Sequence, residues 1–362
     1  MCQVDQHQFA YRENRSTEDA IATTLHSTLH HLDGKRAGNY ARLLFVDYSS
    51  AFNTIIPDRL VTKLQDLGIS NPICRWIKDF LSDRPQRVKV GQHLSSSLNL
   101  STGSPQGCVL SPLLYSLYTY DCIPAHKSNA VIKFADDTTV VGLISEGDEA
   151  AYRDEVEKLA EWCAENNLEL NTSKTKELII DYRRKKTDTP PLNIGEEQVE
   201  RTSSFRFLGV HLDDDLTWST NTAAIIKKAH QRLYFLRILR SNQLSKELMT
   251  SFYRCAIESI LTYCICVWFG NCTAAEKKAL QRVVNHAQKI IGLSLPSMDD
   301  LYNTRCDRKA KSILRDPTHP GHCHFELLPS GQRYRLMRTR TKRFQDSLYP
   351  RAIAALNKKS IR

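Results

Sequence analysis

Phe134-Ala135-Asp136-Asp137 sits between two apolar runs, Val131-Ile132-Lys133 before it and Val140-Val141-Gly142-Leu143-Ile144 after it. A short polar step between two such runs predicts a β-hairpin with both carboxylates at its tip. A third acid, Asp47, closes another apolar run, Leu43-Leu44-Phe45-Val46. Acids presented at strand ends can hold a pair of divalent metals, and two-metal sites drive in-line displacement at phosphorus. An Asp-Asp pair by itself is an ordinary solvated turn. The third acid gives it chemical meaning only if the strands bearing Asp47 and Asp136, 89 positions apart, are neighbours.

Outward from the hairpin, the pattern predicts strands over 42–47, 87–90, 97–100, 176–182 and 205–212, the last ending in the acidic turn Asp213-Asp214-Asp215. Helices are expected over 17–32, 58–67, 72–81 and 149–167 from apolar spacing. Ser111-Pro112 has N-cap and first-position chemistry, so a further helix should run from there to about Asp121. Gly103 to Gly107 reads as a loop, and 183–191 as a charged surface loop. The order suits an α+β layer, an antiparallel sheet with helices on one face. After Trp218 helical periodicity dominates to about residue 295. From Thr304 the chain is basic and less regular.

The 362 residues carry a net charge of +10, unevenly spread. Residues 219–362 hold 26 Lys+Arg against 9 Asp+Glu, whereas the rest hold 24 against 31. A polyanionic partner accounts for that asymmetry, with a solvated basic helical face as the plain alternative. Eleven scattered cysteines read as reduced thiols of a nuclear or cytoplasmic protein. Cys264-x-Cys266 with Cys272, and His322-Cys323-His324, lack the paired spacing of a zinc finger. No window is expected to cross a membrane, and Met1 to Asp5 has no signal-peptide shape.

Several segments together resemble non-LTR (LINE-type, jockey-like) retrotransposon reverse transcriptases. Phe45-Val46-Asp47-Tyr48-Ser49-Ser50-Ala51-Phe52-Asn53 resembles their first catalytic motif and Gly103-Ser104-Pro105-Gln106-Gly107-Cys108-Val109-Leu110-Ser111-Pro112 their second. Phe134-Ala135-Asp136-Asp137 resembles the third, 168–175 the fourth, Phe207-Leu208-Gly209-Val210 the primer grip, and 8–17 a fingers segment. The resemblance implies a polymerase-type palm with interleaved fingers elements over 41–215. A partial fingers segment would cover 1–40, a helical thumb-like domain 216–300 and a basic C-terminal region 301–362. The chain is expected to be N-terminally truncated, with endonuclease activity supplied from elsewhere.

The implied activity is that of an RNA-directed DNA polymerase, a nucleotidyltransferase acting on an RNA template, a DNA primer and dNTPs. Asp47, Asp136 and Asp137 would hold Mg²⁺, with Mn²⁺ as a substitute, since oxygen ligands suit such ions. Asp47 and Asp136 would bridge both metals and Asp137 would contribute less directly. By resemblance Phe52 is the steric gate against a ribose 2′-hydroxyl. Gln106 faces the incoming nucleotide or template base, and Gly107 admits a close backbone approach. Lys174 meets the leaving pyrophosphate as a charge or a proton donor, or is simply solvated. Arg12 contacts the triphosphate. Two rival readings stay open: a catalytically inactive remnant that at most binds nucleic acid, and an RNA-directed RNA polymerase, which shares the acids but has no need of a bulky residue at 52.

Overall fold

The expected first strand forms as Tyr40–Val46, and every residue in it is buried. Its partner is the strand Asp137–Ile144, antiparallel, with Leu44 opposite Val140 and Val46 opposite Thr138. That strand in turn pairs with Asn129–Phe134, and Phe134 faces Asp137 across a two-residue turn. Lys176–Ile180 flanks the first strand on its other side, and Glu200–Arg201 closes the five-stranded sheet. This last pairing is parallel, whereas the pairings of Asp137–Ile144 with its two neighbours are antiparallel. The computed structural model describes residues 5–34, 38–184 and 189–359. Part of the predicted charged loop, 185–188, lies outside the described residues.

One face of the sheet, with Tyr40, Leu44, Val46, Val131, Val140 and Ile144, packs on the helices Pro57–Asp66, Asn71–Leu81, Leu110–Tyr118 and Ala150–Glu165. Helices on one face of a largely antiparallel sheet give the α+β class the pattern implied. These elements belong to a compact unit of Met1–Arg15, Ala37–Ile179 and Arg183–Arg201. Within it the predicted strands near 87–90 and 97–100 become two small hairpins, Arg84–Gln86 with Leu98–Leu100 and Lys89–Val90 with His93–Leu94. The helix expected to begin at Ser111 starts at Leu110, with Val109 as its N-cap. Ser111 does not cap: its hydroxyl donates to the Pro105 carbonyl at 2.5 Å. Pro112 is tolerated there because first-turn N–H groups have no helical partner.

Arg42 lies in the middle of the first strand and is fully buried. Its Nε and Nη2 donate to the two carboxylate oxygens of Glu177 at 2.8 and 2.7 Å. Nη1 lies 2.6 Å from Glu149, and the Tyr152 hydroxyl donates to Glu177 at 3.0 Å. A buried guanidinium is tolerable only when paired and bonded in this way.

The second compact unit comprises Ser16–Arg36, Ile180–Tyr182 and Thr202–Arg362. The strand expected over 205–212 is a hairpin, Ser204–Phe207 with Val210–Asp213. Leu208 and Gly209 both have positive φ, +45° and +87°, the requirement of a two-residue hairpin turn. The ladder folds back there instead of running on. The region beyond Thr304 is more regular than expected. Met298–Arg315 is one helix, and Leu348–Lys359 forms another. Tyr302, Cys306, Ala310 and Ile313 are buried at helical spacing beneath the charges that masked the pattern.

Among the described residues Lys246–Asn271 is long and apolar enough to cross a membrane by length and composition, but only weakly so, and more than half of its apolar window is buried inside the fold. It is interrupted by a π-helical turn, Arg254–Glu258, and by Cys264 at φ +48°. Tyr253, Ile257, Leu261, Ile265, Trp268 and Phe269 are all fully buried within the unit. Cys264, Cys266 and Cys272 are free and buried there too.

Asp19, on the helix Thr17–Leu32, is also fully buried. It bonds to Lys309 Nζ at 2.8 Å and His319 Nε2 at 3.2 Å. Burial pushes its carboxyl up, but the His319 hydrogen bond and the Lys309 charge outweigh that and hold it at about 2. A depressed folded pKa stabilises above the unfolded value and loses that contribution as pH falls through the folded one. Denaturant titrations of the wild type should therefore show stability falling between about pH 4 and pH 2. In Asp19→Asn that slope should flatten, and stability at pH 7 should drop by about 3 kcal/mol. The low end applies because Glu18 also approaches Lys309, at 3.7 Å. An unchanged acid slope in the variant would exclude Asp19 as its source.

Candidate active site

Asp47 follows directly on Val46, and Asp137 directly precedes Thr138, Val46's partner in the ladder. The ladder thus ends one residue short of Asp47 on one strand and of Asp137 on the other, with Asp136 in the adjoining turn. The segment Asn171–Thr175 fixes Asp47 from both sides. The Asp47 N–H donates to Thr175 Oγ1 at 3.3 Å, and its carbonyl accepts from the Asn171 N–H at 2.9 Å. Lys174 Nζ stands 3.8 Å from Asp47 Oδ2 on the exposed side.

The acids feel one another. Burial, then the charges of Asp136 and Asp47, push the Asp137 carboxyl up to about 6. Burial and nearby like charges both raise a carboxyl pKa in this way. A divalent cation removes that repulsion, and an all-oxygen donor set matches Mg²⁺ or Mn²⁺. The residues therefore fit such an ion. Among the described residues, no three His, Cys, Asp or Glu side chains are already drawn together as a cage.

Phe52 is half-buried in the short 3-10 turn Ala51–Asn53, entered through Ser50 at φ +56°. Its ring lies on Tyr115, centroids 4.8 Å apart. Tyr115 senses the charge of Asp136 through a raised pKa, for which burial is the larger cause. The 103–107 loop is tied to the same turn. The Gly103 N–H donates to the Ile55 carbonyl at 2.7 Å and the Ser104 N–H to that of Phe52 at 2.9 Å. A Cβ on Gly103 would stand 2.8 Å from the Asn53 backbone, so the close approach needs glycine here. Gly107 has φ +79°, a backbone conformation that favours glycine, with open space around the Cβ position. Gln106 Nε2 donates to Asn53 Oδ1 at 3.4 Å.

Asp47, Asp136, Asp137 and Lys174 are thus grouped, and Phe52, Gln106 and Gly107 gather on the adjoining turn and loop. Arg12 donates to the Asp5 carbonyl at 2.7 Å. Sequence reasoning did not single out Asn53, Tyr115, Asn171 or Thr175. Thr175 and Asn171 lay within a quoted motif, but their hold on the Asp47 backbone has no local signature.

A family model described as "Reverse transcriptase (RNA-dependent DNA polymerase)" matches residues 1–212. A second, "Alkylated DNA repair protein alkB homolog 8, N-terminal", matches only residues 218–259. Among curated proteins, the chain is 27% identical over 296 residues to "Probable RNA-directed DNA polymerase from transposon BS" of Drosophila melanogaster, covering 79% of this chain and 32% of that protein. It is 26% identical over 277 residues to "RNA-directed DNA polymerase from mobile element jockey" of Drosophila funebris, covering 73% and 30%. The chain therefore spans about a third of the length of these relatives. Of solved structures, telomerase from Candida albicans, in complex with a fragment of telomeric RNA, aligns at TM-score 0.42 and 13% identity, covering 88% of this chain and 54% of that one. At that score the likeness is too loose to carry an inference. With residues 1–212, more than half its length, matched, the chain belongs to the reverse transcriptase (RNA-dependent DNA polymerase) family.

Proposed function

We propose that the chain is the RNA-directed DNA polymerase module of a non-LTR retrotransposon, adding dNTPs to a DNA primer on an RNA template. The observation that carries this reading is that the strand ending just before Asp47 pairs with the strand that begins at Asp137, next to Asp136, so that the charges of Asp47 and Asp136 both act on Asp137, with the 103–107 loop tied to the turn of Phe52. Asp47 and Asp136 would hold the metals and Asp137 would support them. When bound, a Mg²⁺ pair lowers the pKa of the primer 3′-hydroxyl and stabilises the leaving pyrophosphate. Lys174 brings positive charge to the pyrophosphate side, Gln106 positions the nucleotide or template base, and Arg12 meets the triphosphate. On this reading residues 1–40 are part of the fingers, 41–215 the palm with fingers elements, 216–300 a thumb and 301–362 a basic extension. The basic residues there neutralise template and primer phosphates, so binding should weaken with salt.

The test is incorporation of dTTP on primed poly(rA) with Mg²⁺ or Mn²⁺. Binding without synthesis would instead favour an inactive remnant. Phe52 supplies a second check. Its ring rests on Tyr115, and a bulky group beside the sugar excludes the ribose 2′-hydroxyl by sterics. Phe52→Ala should raise the efficiency of ribonucleotide relative to deoxynucleotide incorporation by about 10- to 100-fold, the scale of one pocket contact. Steady-state kinetics with paired UTP and dTTP read this ratio, and an unaltered ratio removes Phe52 from the role.

A further inference from the structure

We propose that Gln8 is a positioning residue that sets the geometry of the Ala135-Asp136 turn. The inference rests on the reading of Asp136 as a metal ligand. The Gln8 side chain is 2% exposed, and its amide pinches one residue from both sides. The Ala135 N–H donates to Gln8 Oε1 at 3.0 Å, and Gln8 Nε2 donates to the Ala135 carbonyl at 3.1 Å. The side chain thus does for the turn what a neighbouring strand does for a ladder.

The turn has need of such support. Ala135 holds φ +58°, a place that two-residue hairpin turns give to Gly, Asn or Asp. An Ala there is strained by its Cβ. Asp136 is the next residue, so any relaxation of Ala135 swings its carboxylate away from Asp47 and Asp137.

A plain structural reading of Gln8 is that it docks the 5–12 segment. That docking is already provided by other groups. The Phe9 N–H donates to the Lys133 carbonyl, and the Lys133 N–H to that of His7, both at 2.9 Å. Asp5 pairs with the buried Lys133 ammonium at 2.7 Å. Phe9 is fully buried. The amide of Gln8 is therefore spent on the turn, apart from one bond it accepts from the Ala10 N–H at 3.0 Å.

The test uses the full chain, amide hydrogen exchange, and Mn²⁺ titration followed by electron paramagnetic resonance. Gln8→Met keeps the side-chain length and removes both bonds. Exchange at Ala135 should accelerate about fivefold or more, the scale of one net hydrogen bond, while Ile132 and Val140 stay protected. Mn²⁺ affinity should fall by a similar factor. Adding Ala135→Gly, which reaches positive φ without a Cβ, should bring affinity back to within about twofold of wild type, a rescue that a docking role does not allow. Should Gln8→Met fail to fold, Gln8→Asn, too short to reach Ala135, takes its place with the same expectations. Unchanged exchange and affinity, or no recovery with Ala135→Gly, overturn the proposal. Asp136→Asn in the same titration separates the two ideas: if it binds Mn²⁺ as wild type does, the metal-ligand reading fails, while exchange at Ala135 still decides what Gln8 does.

Discussion

Asp136→Asn is expected to abolish primer extension on poly(rA) while leaving the fold intact. The side chain keeps its shape and loses its charge, in a turn whose backbone is held by contacts the substitution does not touch. A metal site contributes several kcal/mol of transition-state stabilisation, so loss of one ligand should cost about 10³-fold in rate, at 1.36 kcal/mol per decade. A second signature should follow. Removing the Asp136 charge takes away one of the causes that lift the Asp137 carboxyl to about 6, so Asp137 should titrate lower in the variant. Carbon-detected NMR of the carboxylates measures that shift without any substrate. Wild-type extension by the variant would end the polymerase assignment. A lower Asp137 pKa with no extension in either protein would leave the acid cluster intact and point to an inactive remnant.

Arg42→Met should destabilise the sheet-bearing unit by about 4 kcal/mol. Breaking a buried ion pair by deleting one partner costs about 3–5 kcal/mol because the other charge stays behind. Here Glu177 is fully buried and Glu149 nearly so. Arg201 and Arg153 reach them, at 3.2 and 2.7 Å, and keep the loss below the upper limit. Total stabilities of about 5–15 kcal/mol make this a large fraction. Urea titrations at pH 8 test this. A double variant, Arg42→Met with Glu177→Leu, should recover most of the loss, since well-packed apolar replacements of buried pairs are often neutral. If Arg42→Met is as stable as wild type at pH 8, the network is dispensable.

Much of this protein was legible in one dimension. The run closing on Asp47, the hairpin around Asp136-Asp137, the helices near 17–32, 58–67, 72–81 and 149–167 and the loop at 103–107 follow from periodicity and turn chemistry. Those signals are local: a strand alternates every second residue, a helix repeats every 3.6, and a two-residue turn has few possible occupants. The reversal at Leu208-Gly209 was missed because Leu at positive φ is a poor turn signal and the flanking residues read as one continuous strand. The helices beyond residue 298 were hidden by surface charge, although their buried faces keep helical spacing.

The sequence by itself determined the chemistry on offer: three carboxylates at strand ends, a bulky Phe52 five residues beyond the first, and a glycine-bearing loop. Tertiary structure alone decided that the strands of Asp47 and Asp136 lie side by side, that Arg42 is an interior cation and not a surface one, and that Gln8 reaches across 127 positions to Ala135. The reason is physical. Strand order and register are chosen by which apolar faces can be buried together, and a polar side chain that this choice takes inside must find its partner wherever the fold has placed one.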